Sequence, residues 1–211
     1  MALSKLAANS FDLTDNYAFT GTTTGATSTQ KLFLIKNLDA SSSSTLSFVD
    51  GSDSVVLDNT YKTYLFRFIN IHPQNDEKDL QVGFRDGGSD YDAVKTTSYF
   101  EAIHDEADSS TSLGYQTGLD IAQGTGFQTI LRFIGDDNDQ SASGEMFLFN
   151  PSSTTFVKHF IATGSSVTGG DYANNHFIGG YINTTTAIDG VQFKFNSGNI
   201  DSGRIALYGI K

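Results

Sequence analysis

The chain has 211 residues, of which 38% are hydrophobic and 12% aromatic, with 17 Phe and 9 Tyr but no Trp and no Cys. That is enough apolar mass for one large domain, and the rings favour pleated, half-buried surfaces over helices. A net charge of −11 with no basic cluster argues against nucleic acid, since neutralising phosphate needs Lys and Arg. No run approaches the apolar length that spans a bilayer, so no membrane insertion is expected.

The lack of Cys gives no sign of an oxidising compartment. The opening MALSKLAANSFDL carries Lys5 but no apolar stretch of signal-peptide length, which predicts a soluble protein made in a cytoplasm. Residues 1–30 are rich in Thr, Ser, Ala and Gly. They read as an extended arm over residues 1–27, with Phe11, Leu13, Tyr17 and Phe19 as isolated apolar anchors for docking on a partner.

From residue 28 to 211 the dominant pattern is period-two alternation, which predicts a single β-sandwich domain. Strands are expected at Lys31–Leu38, Thr45–Val49, Tyr61–Ile71, Asp79–Arg85, Phe127–Ile134, Glu145–Phe149, Phe156–Thr163, His176–Ile182, Val191–Asn196 and Ile205–Tyr208. Turn chemistry separates them at Asp50-Gly51, Asp86-Gly87-Gly88, Gly135-Asp136-Asp137, Asn150-Pro151, Gly169-Gly170 and Gly198. Ser98–Ala107 alone suggests a turn of helix. Leu32–Ile35 and Tyr64–Ile69 are apolar on both faces, so each needs cover on both, from a loop, the arm or a second subunit. The expected fold class is all-β, a two-sheet antiparallel sandwich or barrel of about a dozen short strands.

Charge is concentrated in the middle: residues 74–139 hold 14 acidic and 4 basic side chains. Asp136, Asp137 and Asp139 offer oxygen ligands suited to calcium. An EF-hand is excluded, because counting from Asp137 puts Ala142 at the glycine position and Leu148 at the closing acid. A polar hairpin turn is the plainer reading, so no cofactor is expected and calcium stays as the alternative. A second cluster, Glu101, His104, Asp105, Glu106 and Asp108, lacks the second nearby His that a zinc enzyme needs and reads as an exposed acidic loop.

No GxSxG elbow, phosphate loop or dinucleotide fingerprint occurs, and Gly124-Thr125-Gly126 reads as a turn. The sequence leaves open a glycosidase pair formed by any two of the 24 acids converging in the fold. Tyr91, Tyr99, Tyr115, Tyr172 and Tyr181 lie in or beside polar stretches. The Gly169–His176 segment has the adaptable composition of a binding loop, with Tyr172, Asn174 and His176 as candidate surface-recognition residues.

The closing segment Gly198-Asn199-Ile200-Asp201-Ser202-Gly203-Arg204-Ile205-Ala206-Leu207-Tyr208-Gly209-Ile210 resembles that of virion structural proteins of tailed bacteriophages, marine ones especially. In those proteins a Gly/Asn/Ser turn leads into a last strand ending Leu-Tyr-Gly. Phe11-Asp12-Leu13-Thr14-Asp15-Asn16-Tyr17-Ala18-Phe19-Thr20-Gly21-Thr22 is similar to a recurrent segment of phage tail-fibre and appendage proteins. The resemblance implies a jelly-roll-like subunit, commonly trimeric, on the tail, baseplate or capsid surface, and it carries over no catalytic residue. The resulting expectation is a non-enzymatic virion protein, a homo-oligomer whose arm docks on other virion proteins and whose loops aid attachment to a host-surface glycan. The alternative is a carbohydrate-binding module with a calcium-assisted loop; a glycan-degrading particle enzyme is a third reading.

Overall fold

Strands make up most of the regular structure among the described residues. The computed structural model describes residues 31–211, so the expected arm and its anchors Phe11, Leu13, Tyr17 and Phe19 lie outside the described residues. Twelve strands follow in order: β1 (Leu32–Asp39), β2 (Leu46–Val49), β3 (Thr63–Pro73), β4 (Lys78–Arg85), β5 (Lys95–Asp105), β6 (Thr111–Tyr115), β7 (Gln128–Ile134), β8 (Ala142–Phe149), β9 (Lys158–Val167), β10 (Tyr172–Ile182), β11 (Gly190–Phe195) and β12 (Ile200–Ile210). They form two antiparallel sheets, ordered β1-β12-β3-β8-β9-β10-β5-β6 and β2-β11-β4-β7.

The pairings β1·β12, β2·β11, β3·β8 and β4·β7 nest one inside the next, which is the connectivity of an eight-stranded jelly roll. Two hairpins are inserted into it. β9–β10 extends the first sheet from β8, and β5–β6 continues it from β10, so an eight-stranded sheet faces one of four. β7, at one edge of the smaller sheet, packs against β9 and β10. The larger sheet therefore extends past its cover.

The core lies between the sheets. Phe48 from the small sheet meets Phe66 edge-on at 5.3 Å, while Phe193 packs on Phe66 and Phe68 at 5.4 and 5.2 Å. Phe84 lies 5.0 Å from Phe160 across the gap. Each such ring contributes about 1.5–3 kcal/mol by burial, with roughly 0.5–1.5 kcal/mol more per well-set pair.

The terminal strand is internal, between β1 and β3, with Ile205 and Leu207 facing the core. Gly203 has φ +111°, and a Cβ there would lie 2.8 Å from Ile71 Cα and closer still to Asn70 O. Gly209 leaves room for the Tyr61 ring.

Three expectations are corrected. Ser98–Ala107 holds no turn of helix: most of it is β5, whose inward positions Lys95, Thr97, Tyr99 and Glu101 are all buried. Tyr99 belongs to that core and not beside a polar loop. The Gly169–His176 segment is mostly the start of β10, and alternation turns Asn174 and His176 inward to 1% and 0% exposure. They are not surface residues.

Two buried lysines tie loops to the sheet. Lys95 Nζ donates to Thr125 O and Gly126 O at 3.3 and 2.7 Å, and Lys158 Nζ donates to Thr184 O at 3.0 Å and to Thr186 O. Thus Gly124–Gly126, expected as a turn, is a loop segment that bridges to Lys95 through Gly124 and is pinned from below. Burial pushes the Lys95 ammonium down to about 8.

Candidate functional site

Inward positions of β5, β10 and β9 would be apolar in a simple sandwich. Here they carry Glu101, Asn174, His176 and Ser166, which meet Arg132 of β7. Burying polar groups costs several kcal/mol each unless they are paired, at roughly 1–3 kcal/mol per unsatisfied group in proteins. The cluster meets that demand almost completely.

Arg132 Nη1 donates to Glu101 Oε1 at 2.9 Å, and Gln116 Nε2 donates to the same oxygen at 2.9 Å. Asn174 Nδ2 reaches Glu101 Oε2 at 3.4 Å. The Arg132 guanidinium also lies 3.9 Å over the Phe133 ring. Nearby, Asp79 Oδ1 accepts from Phe133 N at 3.0 Å, and burial holds its carboxyl above the ordinary value.

Tyr99 Oη lies 2.7 Å from His176 Nδ1, His176 Nε2 lies 3.0 Å from Ser166 Oγ, and Ser166 Oγ donates to Arg132 O at 2.9 Å. The hydroxyl proton of Ser166 is thereby committed, which assigns the imidazole proton to Nε2 and makes Nδ1 the acceptor for Tyr99. With the proton on Nε2, the 3.4 Å approach of Arg132 N is a contact and not a hydrogen bond. Burial first, and the Arg132 charge second, push His176 down to about 3. The imidazole is neutral, so its 3.7 Å approach to Glu101 Oε2 is a contact and not an ion pair.

The order Ser166, His176, Glu101 has the composition of a nucleophile, base and acid. Its geometry does not serve that chemistry. Ser166 is 2% exposed, its proton goes to a main-chain carbonyl, and Tyr99 holds the imidazole nitrogen that the acid would need. The row braces the sheet.

Beside it a pocket of about 280 Å³ opens where β5 and β10 overhang β7. Glu101 and Asn174 form its floor, Ile103, Phe133 and Tyr172 its walls, and Glu77, Ser110, Thr168 and Gly170 its rim. Asn174 Oδ1 is buried and has no hydrogen-bond partner among the described residues. Of the three candidate recognition residues, Tyr172 and Asn174 line this pocket, while His176 stands behind it.

The acidic loop is different. Asp136, Asp137 and Asp139 are exposed, and among the described residues no group of three His, Cys, Asp or Glu is placed to hold a metal ion. The loop is a turn held by Gln140, whose N donates to Asp137 O at 2.9 Å and whose Oε1 accepts from Asp137 N at 3.3 Å. Along β5, alternation separates Glu101, which points in, from His104, which pairs outside with Asp108 at 3.1 Å. Asp105 caps the next turn by accepting from Ser109 N and Ser110 N.

Sequence reasoning missed Arg132, Ser166 and Gln116 and placed Glu101 in an exposed loop. The available signal was parity: Asn174 and His176 share it with Ile178 and Ile182, the buried side of the same strand. A scan of protein-family models and searches of curated proteins and solved structures return no match to this chain.

Proposed function

We propose that the protein is a structural subunit of a bacteriophage particle, forming a tail, baseplate or capsid-surface appendage as a homotrimer that packs through the outer face of its eight-stranded sheet. The observation that carries this reading is the composition of that face. Seven of the nine large apolar side chains left exposed among the described residues, Leu34, Ile69, Phe100, Leu113, Tyr115, Ile161 and Phe177, point outward from it. Phe100 and Phe177 stack at 4.9 Å with an 8° tilt, and Tyr115 continues their row on β6.

Monomeric proteins rarely leave large contiguous apolar patches in water, and such patches mark interaction surfaces. Arg67 and Glu145 face each other across β3 and β8 on the same side, and Arg204 pairs with Asp39 at 2.6 and 3.0 Å. A surface carrying both signs beside an aromatic row on β10, β5 and β6 suits a second copy of itself. The nested jelly roll and the resemblance of the two chain ends to virion proteins support the same reading, in which residues 1–27 dock on another particle component.

The test is the mass in solution by light scattering. The expected value is three times the 22.8 kDa chain, retained when the chain begins at Ser28. A monomer at every concentration would remove self-assembly as the basis of function.

A further inference from the structure

We infer that the pocket beneath the β5–β10 overhang binds a neutral saccharide, whose hydroxyls donate to Asn174 Oδ1 and Glu101 Oε2. The inference does not depend on the oligomeric state, because all of the pocket's described lining comes from one chain.

Three observations lead to it. The first is the orphan acceptor. Asn174 is 1% exposed, and Oδ1 lacks a partner among the described residues. Turning the amide over would not relieve it, because Oδ1 would then face the Glu101 carboxylate in place of Nδ2. The carboxylate therefore fixes the amide with its oxygen free. A buried acceptor kept unpaired costs stability, and a ligand donor at that point recovers it.

The second is the state of Glu101. Oε1 is saturated by Arg132 and Gln116, while Oε2 has only the 3.4 Å approach of Asn174 Nδ2. Glu101 and Asn174, on adjacent strands and both lining the pocket, thus each bring it an acceptor with spare capacity. Because Arg132 offsets the Glu101 charge, the floor favours hydroxyl donors over an ammonium ion.

The third is the wall. Ile103, Tyr172 and the 37%-exposed Phe133 offer apolar and aromatic surface to the C–H face of a sugar ring. The volume, about 280 Å³, falls just below the usual range of small-molecule pockets, which run from about 300 Å³ upward. That selects one or two sugar units over a long chain.

Saturation-transfer difference NMR on the full chain, with a panel of neutral mono- and disaccharides, tests the assignment. Ring protons of at least one sugar should receive saturation, and Asn174→Ala and Phe133→Ala should each weaken binding about tenfold. Asn174→Ala should keep the cooperative thermal transition, since with the unpaired acceptor it removes only the long 3.4 Å bond to Glu101, and Phe133→Ala changes a partly exposed wall; the pair guards against simple unfolding. No transfer from any sugar would overturn the inference. So would transfer that survives both substitutions, or binding of methylammonium in preference to every sugar.

Discussion

Tyr99 Oη sits 2.7 Å from His176 Nδ1, with both side chains fully buried in the overhanging half of the large sheet. The bond runs between adjacent strands at a diagonal, since His176 itself stands opposite Glu101 in the ladder. It fixes a neutral imidazole in a place where charge would be costly, because burial and Arg132 both act against protonation.

The sign of the resulting pH dependence follows from linkage. An unfolded His takes a proton near its ordinary 6.5, whereas folded His176 does so only near 3. Between those values the unfolded chain binds more protons, so stability is complete above 6.5 and falls as pH drops through the window. Asp79, whose folded carboxyl is pushed above its ordinary value by burial, acts in the opposite direction from that ordinary value upward. Urea unfolding at steps from pH 7 to about 5, repeated in an Asp79→Asn background to remove the opposing carboxyl, isolates the histidine. His176→Gln should lower stability at neutral pH by about 1–3 kcal/mol and flatten this limb. An unchanged slope would show that His176 is not the proton acceptor.

The legibility of the sequence divides along the same boundary. Val191–Asn196 and Ile205–Tyr208 alternate cleanly because one face of each meets the aromatic core, and both are strands where they were expected. Tyr64–Ile69 did not alternate, and it forms part of a strand held between two others. Alternation failed in β5 and in the first half of β10. There the inward residues other than Tyr99 are Lys95, Thr97, Glu101, Asn174 and His176, each polar and most of them satisfied by partners tens of residues away. Polarity alone reads such residues as loop. Only the distant partners, Arg132 and Ser166 among them, make them interior, and no local pattern announces those pairings. The pocket inherits this opacity, since its floor is made from the same two strands.

Lys95 governs the alkaline side. Its folded value near 8 lies below the ordinary 10.5, because burial outweighs the favourable charge of Asp92. From about 8 upward the folded chain has lost this proton while the unfolded chain still holds it, so stability rises with pH through the window. Tyr64 and Tyr99, both pushed upward by burial, oppose the trend only once unfolded tyrosines ionise near their ordinary 10. Denaturation midpoints from pH 7.5 to 9.5 should therefore climb, and Lys95→Met should reduce the climb, leaving the smaller share of Lys158, which burial also pushes down. A falling midpoint in the native chain would refute the assignment.

Glycine tests the seating of the terminal strand. Gly203→Ala places a methyl against Asn70 O and Ile71 Cα at φ +111°, combining backbone strain with a steric clash. Gly51 has φ +74° but open space around its Cβ position. Gly51→Ala should cost about 1 kcal/mol and Gly203→Ala about 2–3 kcal/mol, read as shifts in urea midpoint at constant slope. Equal costs would mean that β3 gives way at its bulge and that the close approach is not a constraint.

Assembly through the outer face makes a demand that folding does not. Phe100 and Phe177 are 43% and 40% exposed, so they stack mainly on each other and contribute little to the core beneath. Exposed aromatic pairs of this kind are worth about 0.5–1.5 kcal/mol to the isolated chain. In an interface the same rings are desolvated and act as anchors, where truncation costs about 2 kcal/mol or more per subunit contact. Phe100→Ser with Phe177→Ser should therefore reduce the mass to a monomer in light scattering while moving the thermal midpoint of the monomer only slightly. Ile161→Asp, on β9 beside the stack and 49% exposed, should act in the same direction, by placing a charge where the partner brings apolar surface. Phe156→Ser is the control: Phe156 is 71% exposed but lies in a loop and on neither sheet, so its loss should leave the oligomer intact. If the Phe156 variant dissociates and the sheet-face variants do not, subunits meet at the loop end, and the eight-stranded sheet is left to some other partner.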